Sequence, residues 1–131
     1  MSNLIANGRY FVLAASVLLA ACASPRATTH VIDRQEAWTG PVFVTEAQLP
    51  SSVSYRVVGT VQVNATSGYN RVEALYPRLA REARALGANA VMGTKGGRSL
   101  TAFSWSAPNV GGTAVRVENL DRIKGVDGAF H

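Results

Sequence analysis

The sequence predicts an α+β domain in which one helix packs on one face of a small, mainly antiparallel sheet, in the order β-β-α-β-β-β. Residues 55–63 (YRVVGTVQV) alternate in polarity with a period of two, as a half-buried strand does. Residues 71–86 instead repeat their apolar positions at helical spacing. Short β-rich runs separated by glycine-rich turn signals follow the helix. A helix between such runs is typical of the α+β class.

The first two strands precede the helix. Residues 42–45 (VFVT) form a short β-rich run and are predicted as a first strand, a candidate for a sheet edge. The second strand covers residues 55–63, and its inward face is predicted to carry Val57, Gly59, Val61 and Val63. Because glycine has no side chain to pack, Gly59 indicates a bulge or a close approach of another backbone.

The helix is predicted to end at Leu86. Its apolar stripe consists of Val72, Leu75, Tyr76, Leu79, Ala83 and Leu86. Proline in a helix interior deletes a hydrogen bond, so Pro77 places the start of the regular helix near Leu75 or Tyr76. Gly87 stands where a helix C-cap favours a left-handed residue.

Three further strands are predicted after the helix. The first covers residues 90–94. Residues 95–98 (KGGR) are interpreted as a hairpin turn that leads to a strand at 100–106. Residues 108–112 (PNVGG) are interpreted as a second turn, which leads to a last strand at 113–117.

The start of the chain is typical of a signal peptide. A polar stretch with Arg9 precedes residues 10–21 (YFVLAASVLLAA), which are apolar except for Ser16. Twelve helical residues reach only about 18 Å at roughly 1.5 Å per residue, whereas the hydrocarbon core of a bilayer is about 30 Å thick. Residues 10–21 are therefore too short to span a membrane.

The four residues Leu19, Ala20, Ala21 and Cys22 look like a bacterial lipobox. In such a motif the cysteine sulfur receives a diacylglyceryl group, and cleavage makes the cysteine the first, acylated residue. The chemistry needs a thiolate as nucleophile and small residues in the peptidase cleft. The lipid, palmitate included, would hold the protein in the membrane. Ala23 follows where inner-membrane lipoproteins often carry Asp, which favours the outer membrane, on its periplasmic side.

These features divide the chain into a signal peptide (1–21), a lipidated N-terminus with a flexible tether (22–41), a domain (42–118) and a polar tail (119–131). After cleavage 110 residues remain, enough for one modest domain. They carry twelve basic and eight acidic side chains, a formal charge of +4. Ordinary solubility explains this excess, and contact with lipopolysaccharide phosphates or peptidoglycan carboxylates is the alternative. Nothing in the sequence indicates nucleic-acid binding.

No catalytic set, metal site or cofactor motif emerges from the sequence. His30 falls in the predicted tether and His131 at the C-terminus, so neither has a rigid surrounding to orient it. The chain lacks CxxC, HxxxH and a GxSxG nucleophile elbow. We therefore expect a protein that is not an enzyme and binds no cofactor or metal.

Candidate binding residues are of two kinds. Phe103 and Trp105 share one face of a predicted strand, where they either pack under the helix or form an exposed aromatic patch for a partner or a sugar strand. Arg78 and Arg81 lie on the polar side of the helix, where Arg78 is spaced to form a salt bridge with Glu82.

The strand YRVVGTVQV, the helix end LAREARALGANAV and the final GGTAVRV resemble, in that order, the YbjQ-like and RcsF-like superfamily of small bacterial proteins. The resemblance covers residues 42–118, and its most specific element is ALGANAV, whose glycine and asparagine suit the backbone geometry there. It implies this α+β fold and, for the lipoprotein members, a place in the cell envelope. Some members carry disulfides and one branch is described as heavy-metal-binding, but Cys22 is the only cysteine in this chain.

Two functions follow as hypotheses. The first is a non-catalytic, lipid-anchored periplasmic domain of the outer membrane that binds an envelope protein or polymer, or forms a homo-oligomer through exposed sheet edges. The second is a ligand- or metal-sensing envelope-stress module, which the resemblance implies.

Overall fold

The computed structural model describes residues 25–65, 71–101 and 104–131, with side chains for all of these except 99–101 and 104–106. It confirms the α+β class, with one helix and a mostly antiparallel sheet. The strands are β1 (Arg26–Val31), β2 (Phe43–Val44), β3 (Tyr55–Asn64), β4 (Ala90–Thr101), β5 (Ser104–Val117) and β6 (Ala129–Phe130). Helix α1 (Tyr76–Leu86) follows a 3-10 turn at Val72–Leu75, and a second 3-10 turn covers Leu120–Ile123.

The six strands form one sheet in the order β1-β3-β5-β4-β2-β6. Strands β3, β5 and β4 make its antiparallel centre. Among the described strands, β2 alone runs parallel to a neighbour, β4. Strand β2 was a candidate edge strand, but it lies between β4 and β6. The edges of the sheet are therefore β1 and the two-residue β6.

Strand β1 contradicts the predicted tether. Residues 26–31 (RATTHV) pair antiparallel with β3 along their whole length, from Arg26 opposite Asn64 to Val31 opposite Gly59. A Cβ atom on Gly59 would collide with the carbonyl oxygen of His30, so the missing side chain allows β1 to approach. The prediction failed because an exposed edge strand needs no apolar alternation.

Strand β3 is confirmed, and so is the irregularity at Gly59. The register between β3 and β5 shifts between Val57 and Gly59, as at a β-bulge. The bulge changes the predicted inward face: Val58, which is not part of that face, is fully buried on the helix side with Val61 and Val63. Val57 instead packs on the opposite face.

The two glycine-rich segments after the helix are not turns. Residues 95–98 lie inside β4 and residues 108–112 lie inside β5, and the pair Thr101–Ser104 stands at the end of a single long hairpin. Where turns were predicted, glycine serves close packing: a Cβ on Gly96 would collide with Val72, and one on Gly112 would lie 2.7 Å from Val91. Two long strands thus replace the three predicted short ones.

Helix α1 has the predicted limits. It begins at Tyr76 with Pro77 in its first turn, where the missing N–H leaves no intrahelical bond unmade. It ends at Gly87, whose φ of 90° is left-handed and whose N–H donates to the carbonyls of Ala83 and Arg84. The predicted Arg78–Glu82 salt bridge is present, with 2.9 Å between Nε and Oε1.

The sheet carries a hydrophobic cluster on each face. The helix-side cluster contains Leu75, Leu79, Ala83 and Leu86, which confirms the predicted stripe, together with three valines of β3, Val58, Val61 and Val63. The other cluster includes Val115, Val117 and Ile123, the last in the predicted polar tail and only 3% exposed. Residues 119–131 are therefore part of the fold. Their composition looked polar because they supply only a few buried side chains.

Candidate functional site

A cleft of about 610 Å³ opens beside β2, on the side of the sheet remote from β1. Four segments that are distant in sequence meet there: residues 44–47, the start of α1, one position of β4 and the C-terminal residues. Its lining consists of Val44, Thr45, Glu46, Ala47, Tyr76, Thr94, Asp127, Gly128, Ala129 and His131.

Backbone and hydroxyl hydrogen bonds hold the walls of this cleft together. The buried Thr45 hydroxyl donates to the carbonyl oxygen of Asp127 at 2.5 Å and accepts the N–H of Ala47 at 3.0 Å. The backbones of His131 and Val42 exchange two hydrogen bonds of 2.9 Å. These bonds fix the segment at residues 42–47 to the C-terminal segment at residues 127–131.

His131 is better ordered than its position at the end of the chain suggested. Besides its two backbone bonds to Val42, its carbonyl oxygen accepts from Arg84 Nη1 at 2.9 Å. Its imidazole packs edge-on against the ring of Tyr76, with 5.4 Å between ring centroids. The expectation that it lacked a rigid surrounding is wrong.

The hydroxyl groups of Tyr76 and Thr94 lie together in the cleft. Thr94 is 5% exposed. Partial burial raises the pKa of Tyr76 above 10.0, and the Glu46 carboxylate raises that pKa further, while the Thr94 hydroxyl partly offsets both. Tyr76 therefore stays neutral at physiological pH and can donate a hydrogen bond.

The exposed carboxylates of Glu46 and Asp127 stand at this cleft. With the tyrosine hydroxyl and the imidazole, they suit a polar or cationic group better than an anion. The side chains described include no group of three or more His, Cys, Asp or Glu that could hold a metal ion. The described side chains of this site can form hydrogen bonds and charge interactions.

The cleft could not be predicted from the sequence because no short stretch of the chain contains its lining residues. Glu46, Tyr76 and Thr94 belong to three segments that are distant in sequence, and the parallel pairing of β2 with β4 brings the first segment to the third. A buried polar residue in a strand, such as Thr94, was the one local signal.

The predicted binding residues do not form one site. The Arg78 side chain is three-quarters buried in its pair with Glu82, whereas Arg81 is exposed on the helix. Trp105 belongs to strand β5, and its side chain lies outside the described part. Phe103 and the lipobox residues Leu19, Ala20, Ala21 and Cys22 also lie outside the described residues.

Trp38 packs at the C-terminal end of helix α1, away from the cleft. Its ring stacks against the Arg116 guanidinium at 4.5 Å, and its Nε1 donates to the carbonyl oxygen of Pro41 at 2.9 Å. Arg116 Nη1 in turn donates to the carbonyl oxygen of Gly87 at 3.0 Å. The pair covers the C-terminal end of α1, where a cation is favourable.

No protein-family model matches the chain, and no curated protein or solved structure is significantly similar to it. Among the described residues, no helix is long and apolar enough to cross a bilayer.

Proposed function

We propose that the protein is a non-catalytic, lipid-anchored binding module of the cell envelope, held at the periplasmic face of the outer membrane through Cys22. The observation that carries the proposal is the lipobox Leu19–Cys22 at the end of an apolar signal sequence, four residues before the first strand. The resemblance to the YbjQ-like and RcsF-like superfamily supports the same location.

The structure changes the expected architecture of this anchor. Only residues 23–25 separate Cys22 from β1, and four residue steps span at most about 14 Å when fully extended. A lipid on Cys22 would therefore hold the domain close to the membrane surface. The domain would not be lifted away on a flexible tether of twenty residues.

Two features could serve binding. The cleft beside Tyr76 offers hydroxyl, imidazole and carboxylate groups to a polar or cationic part of an envelope protein or polymer. The edge strand β1 offers unpaired backbone groups, and its last residue Val31 and the following Ile32 are 40% and 59% exposed. Another copy of the chain could add a strand there, which would give a homo-oligomer. No nucleic-acid partner is proposed.

Replacement of Cys22 tests the anchor. In Cys22→Ser the hydroxyl is a far poorer nucleophile than a thiolate, so we expect loss of radiolabelled palmitate incorporation and of membrane fractionation. The circular dichroism spectrum and melting of the purified domain should stay unchanged, because β1 begins after this position. A wild-type protein that takes up no label and fractionates as soluble would contradict the proposal.

A ligand-sensing module is the second candidate, and the buried Thr94 hydroxyl at the cleft favours it. Calorimetric titration of the purified protein with Zn²⁺ tests the metal-sensing form of this hypothesis. Tight stoichiometric binding would favour it over the simple binding module, and the absence of heat would remove it.

A further inference from the structure

A separate cavity, of about 340 Å³, lies at the end of the sheet where strand β3 begins and strand β5 ends. It shares no lining residue with the cleft beside Tyr76. Its volume is at the lower end of the range for small-molecule sites, about 300–1,000 Å³. The cavity therefore fits a small molecule or one end of a larger one. Its lining consists of Gln35, Ser54, Tyr55, Arg56, Arg116 and Glu118.

Two arginines of neighbouring strands lie directly opposite each other at this cavity. Arg56 of β3 pairs with Arg116 of β5 in the strand register, and both residues line the cavity. Directly opposite residues have Cβ atoms about 4.5–5.5 Å apart, and like charges in such positions destabilise a sheet. An anion between the two guanidinium groups would remove this repulsion. The arginine pair thus indicates a binding site for an anion.

The fold holds the guanidinium group of Arg116 in place. Its Cζ lies 4.5 Å from the centre of the Trp38 ring, and Nη1 donates to the carbonyl oxygen of Gly87 at 3.0 Å. Among the described residues it forms no salt bridge, although Glu118 lines the same cavity. A guanidinium has five N–H donors, so most of them remain for a ligand. Because the side chain is already ordered, binding costs it little conformational entropy.

Backbone hydrogen bonds fix the walls of the cavity. The N–H of Gln35 donates to the carbonyl oxygen of Leu86 at 3.0 Å, which ties this segment to the end of α1. The N–H of Glu118 donates to the carbonyl oxygen of Ser54 at 3.1 Å, which joins the two segments on the opposite side. The cavity is therefore formed before a ligand arrives, as most small-molecule sites are.

The charges at the cavity favour an anion with a single charge. Arg56 and Arg116 are opposed by one lining carboxylate, that of Glu118, which leaves a formal charge of +1. Asp33 lies 3.7 Å from Arg56, but both side chains are at least half exposed, so water screens this pair. A carboxylate has one negative charge and accepts two parallel hydrogen bonds from a guanidinium. A phosphate dianion would add a second negative charge beside Glu118.

The other polar groups of the lining suit a carboxylate as well. The hydroxyls of Ser54 and Tyr55 and the side-chain amide of Gln35 can each donate a hydrogen bond to a carboxylate oxygen. The ring of Tyr55 is 38% exposed and offers apolar surface to the rest of a ligand.

We propose that this cavity binds the carboxylate group of a small acidic ligand between Arg116 and Arg56. Arg116 is the guanidinium that the fold orients, and the more exposed Arg56 supplies the second charge. The inference goes beyond the proposed function, because it adds a second binding site to the domain. It does not depend on a lipid at Cys22.

Nuclear magnetic resonance of the purified full-length protein tests the site. The nitrogen-labelled protein is kept in a non-ionic detergent, which adds no competing charge, and is titrated with N-acetylalanine. We expect a saturable shift of the indole N–H of Trp38, whose ring stacks on Arg116, and of the backbone amides of Tyr55 and Glu118. The amide of N-acetylalanine, which lacks the negative charge, should give no saturable shift. Trp105→Phe identifies the Trp38 signal, because the chain has two tryptophans.

Matched substitutions distinguish a site from the general charge of the protein. Arg56→Gln removes a guanidinium at an exposed position, so we expect the fold to persist and the dissociation constant to rise about threefold to fivefold. Arg81→Gln changes the net charge equally on the exposed surface of α1, and the dissociation constant should change by less than about 1.5-fold. Glu118→Gln removes the lining negative charge and should lower the dissociation constant about twofold.

Three results would overturn the proposal. The first is a shift that does not saturate or that the neutral amide reproduces. The second is an equal effect of Arg56→Gln and Arg81→Gln, because the affinity would then follow the net charge of the protein. The third is tighter binding of inorganic phosphate than of N-acetylalanine through the same residues, which would overturn the choice of a carboxylate. Palmitate labelling tests the anchor at Cys22 separately, so the two proposals can fail independently.

Discussion

At the scale of single residues, the junction between α1 and β4 depends on Gly87 and Asn89. Gly87 supplies the left-handed backbone, as its position in ALGANAV predicts. Asn89 acts through its side chain: Nδ2 donates to the carbonyl oxygen of Val117 at 2.9 Å, and Oδ1 accepts the N–H of Val117 at 2.7 Å. Backbone geometry was therefore a sufficient explanation for the glycine and an incomplete one for the asparagine.

The C-cap predicts different costs for two glycine substitutions. Gly87→Ala must adopt a φ of 90°, and its Cβ would lie 2.6 Å from Cβ of Gln35, so we expect a loss of at least about 1–2 kcal/mol of unfolding free energy. Gly97→Ala is the control, because its Cβ would have ordinary contacts with Asn109, and it should stay within about 0.5 kcal/mol. Urea unfolding measures both. Equal midpoints would contradict the assigned end of the helix.

Tyr76 predicts a pH dependence at alkaline pH. Burial, followed by the charge of Glu46, raises its pKa above the unfolded value of 10.0. The folded state therefore keeps the proton more tightly, and its contribution to stability is complete below pH 10 and lost as the pH rises through the folded pKa. In Tyr76→Phe the unfolding free energy should fall less between pH 9 and 11. Parallel pH profiles for the two proteins would show that Tyr76 does not titrate differently on folding.

At the scale of secondary-structure elements, the sequence predicts the helix and the strand that a local pattern of apolar residues determines. Helix α1 and strand β3 have a clear apolar period, and both were located to within a residue or two. Glycines 96 and 112 were misinterpreted as turn residues because a glycine that makes room for Val72 or Val91 looks the same in the sequence as one that turns the chain. Strand β1 shows no alternation of apolar and polar residues, because it lies at the edge of the sheet and its side chains are almost all exposed.

The edge strand depends on the absence of a side chain at Gly59. In Gly59→Ala the new Cβ would collide with the carbonyl oxygen of His30, so we expect β1 to separate from β3. Hydrogen exchange of the amides of residues 26–31 should then approach that of an unprotected segment, while exchange in β5 stays slow. Gly97→Ala serves as the control again. Unchanged protection of β1 in Gly59→Ala would mean that the strand can shift without separating.

At the scale of the whole molecule, one sheet separates two clusters that come from different parts of the chain. The helix covers one face, and the segments around Leu49, Val53 and Ile123 cover the other. The second cover was not predicted, because each segment contributes only one or two apolar residues between polar ones. The cleft escaped prediction for the same reason: its groups converge only after β2 and β6 have joined the sheet edge.

A fold with two covers on one sheet should unfold as a unit, which a set of three substitutions can test. Leu79 is fully buried under the helix and Ile123 is 3% exposed on the other face, so Leu79→Ala and Ile123→Ala should each cost about 2–5 kcal/mol. Ile32→Ala is the matched control, because Ile32 is 59% exposed, and its effect should stay within about 0.5 kcal/mol. Chemical unfolding followed by both tryptophan fluorescence and circular dichroism should show a single transition in all three variants. If Ile123→Ala behaved like Ile32→Ala, residues 119–131 would be the dispensable tail that their composition suggested, and the face beneath them would lack its cover.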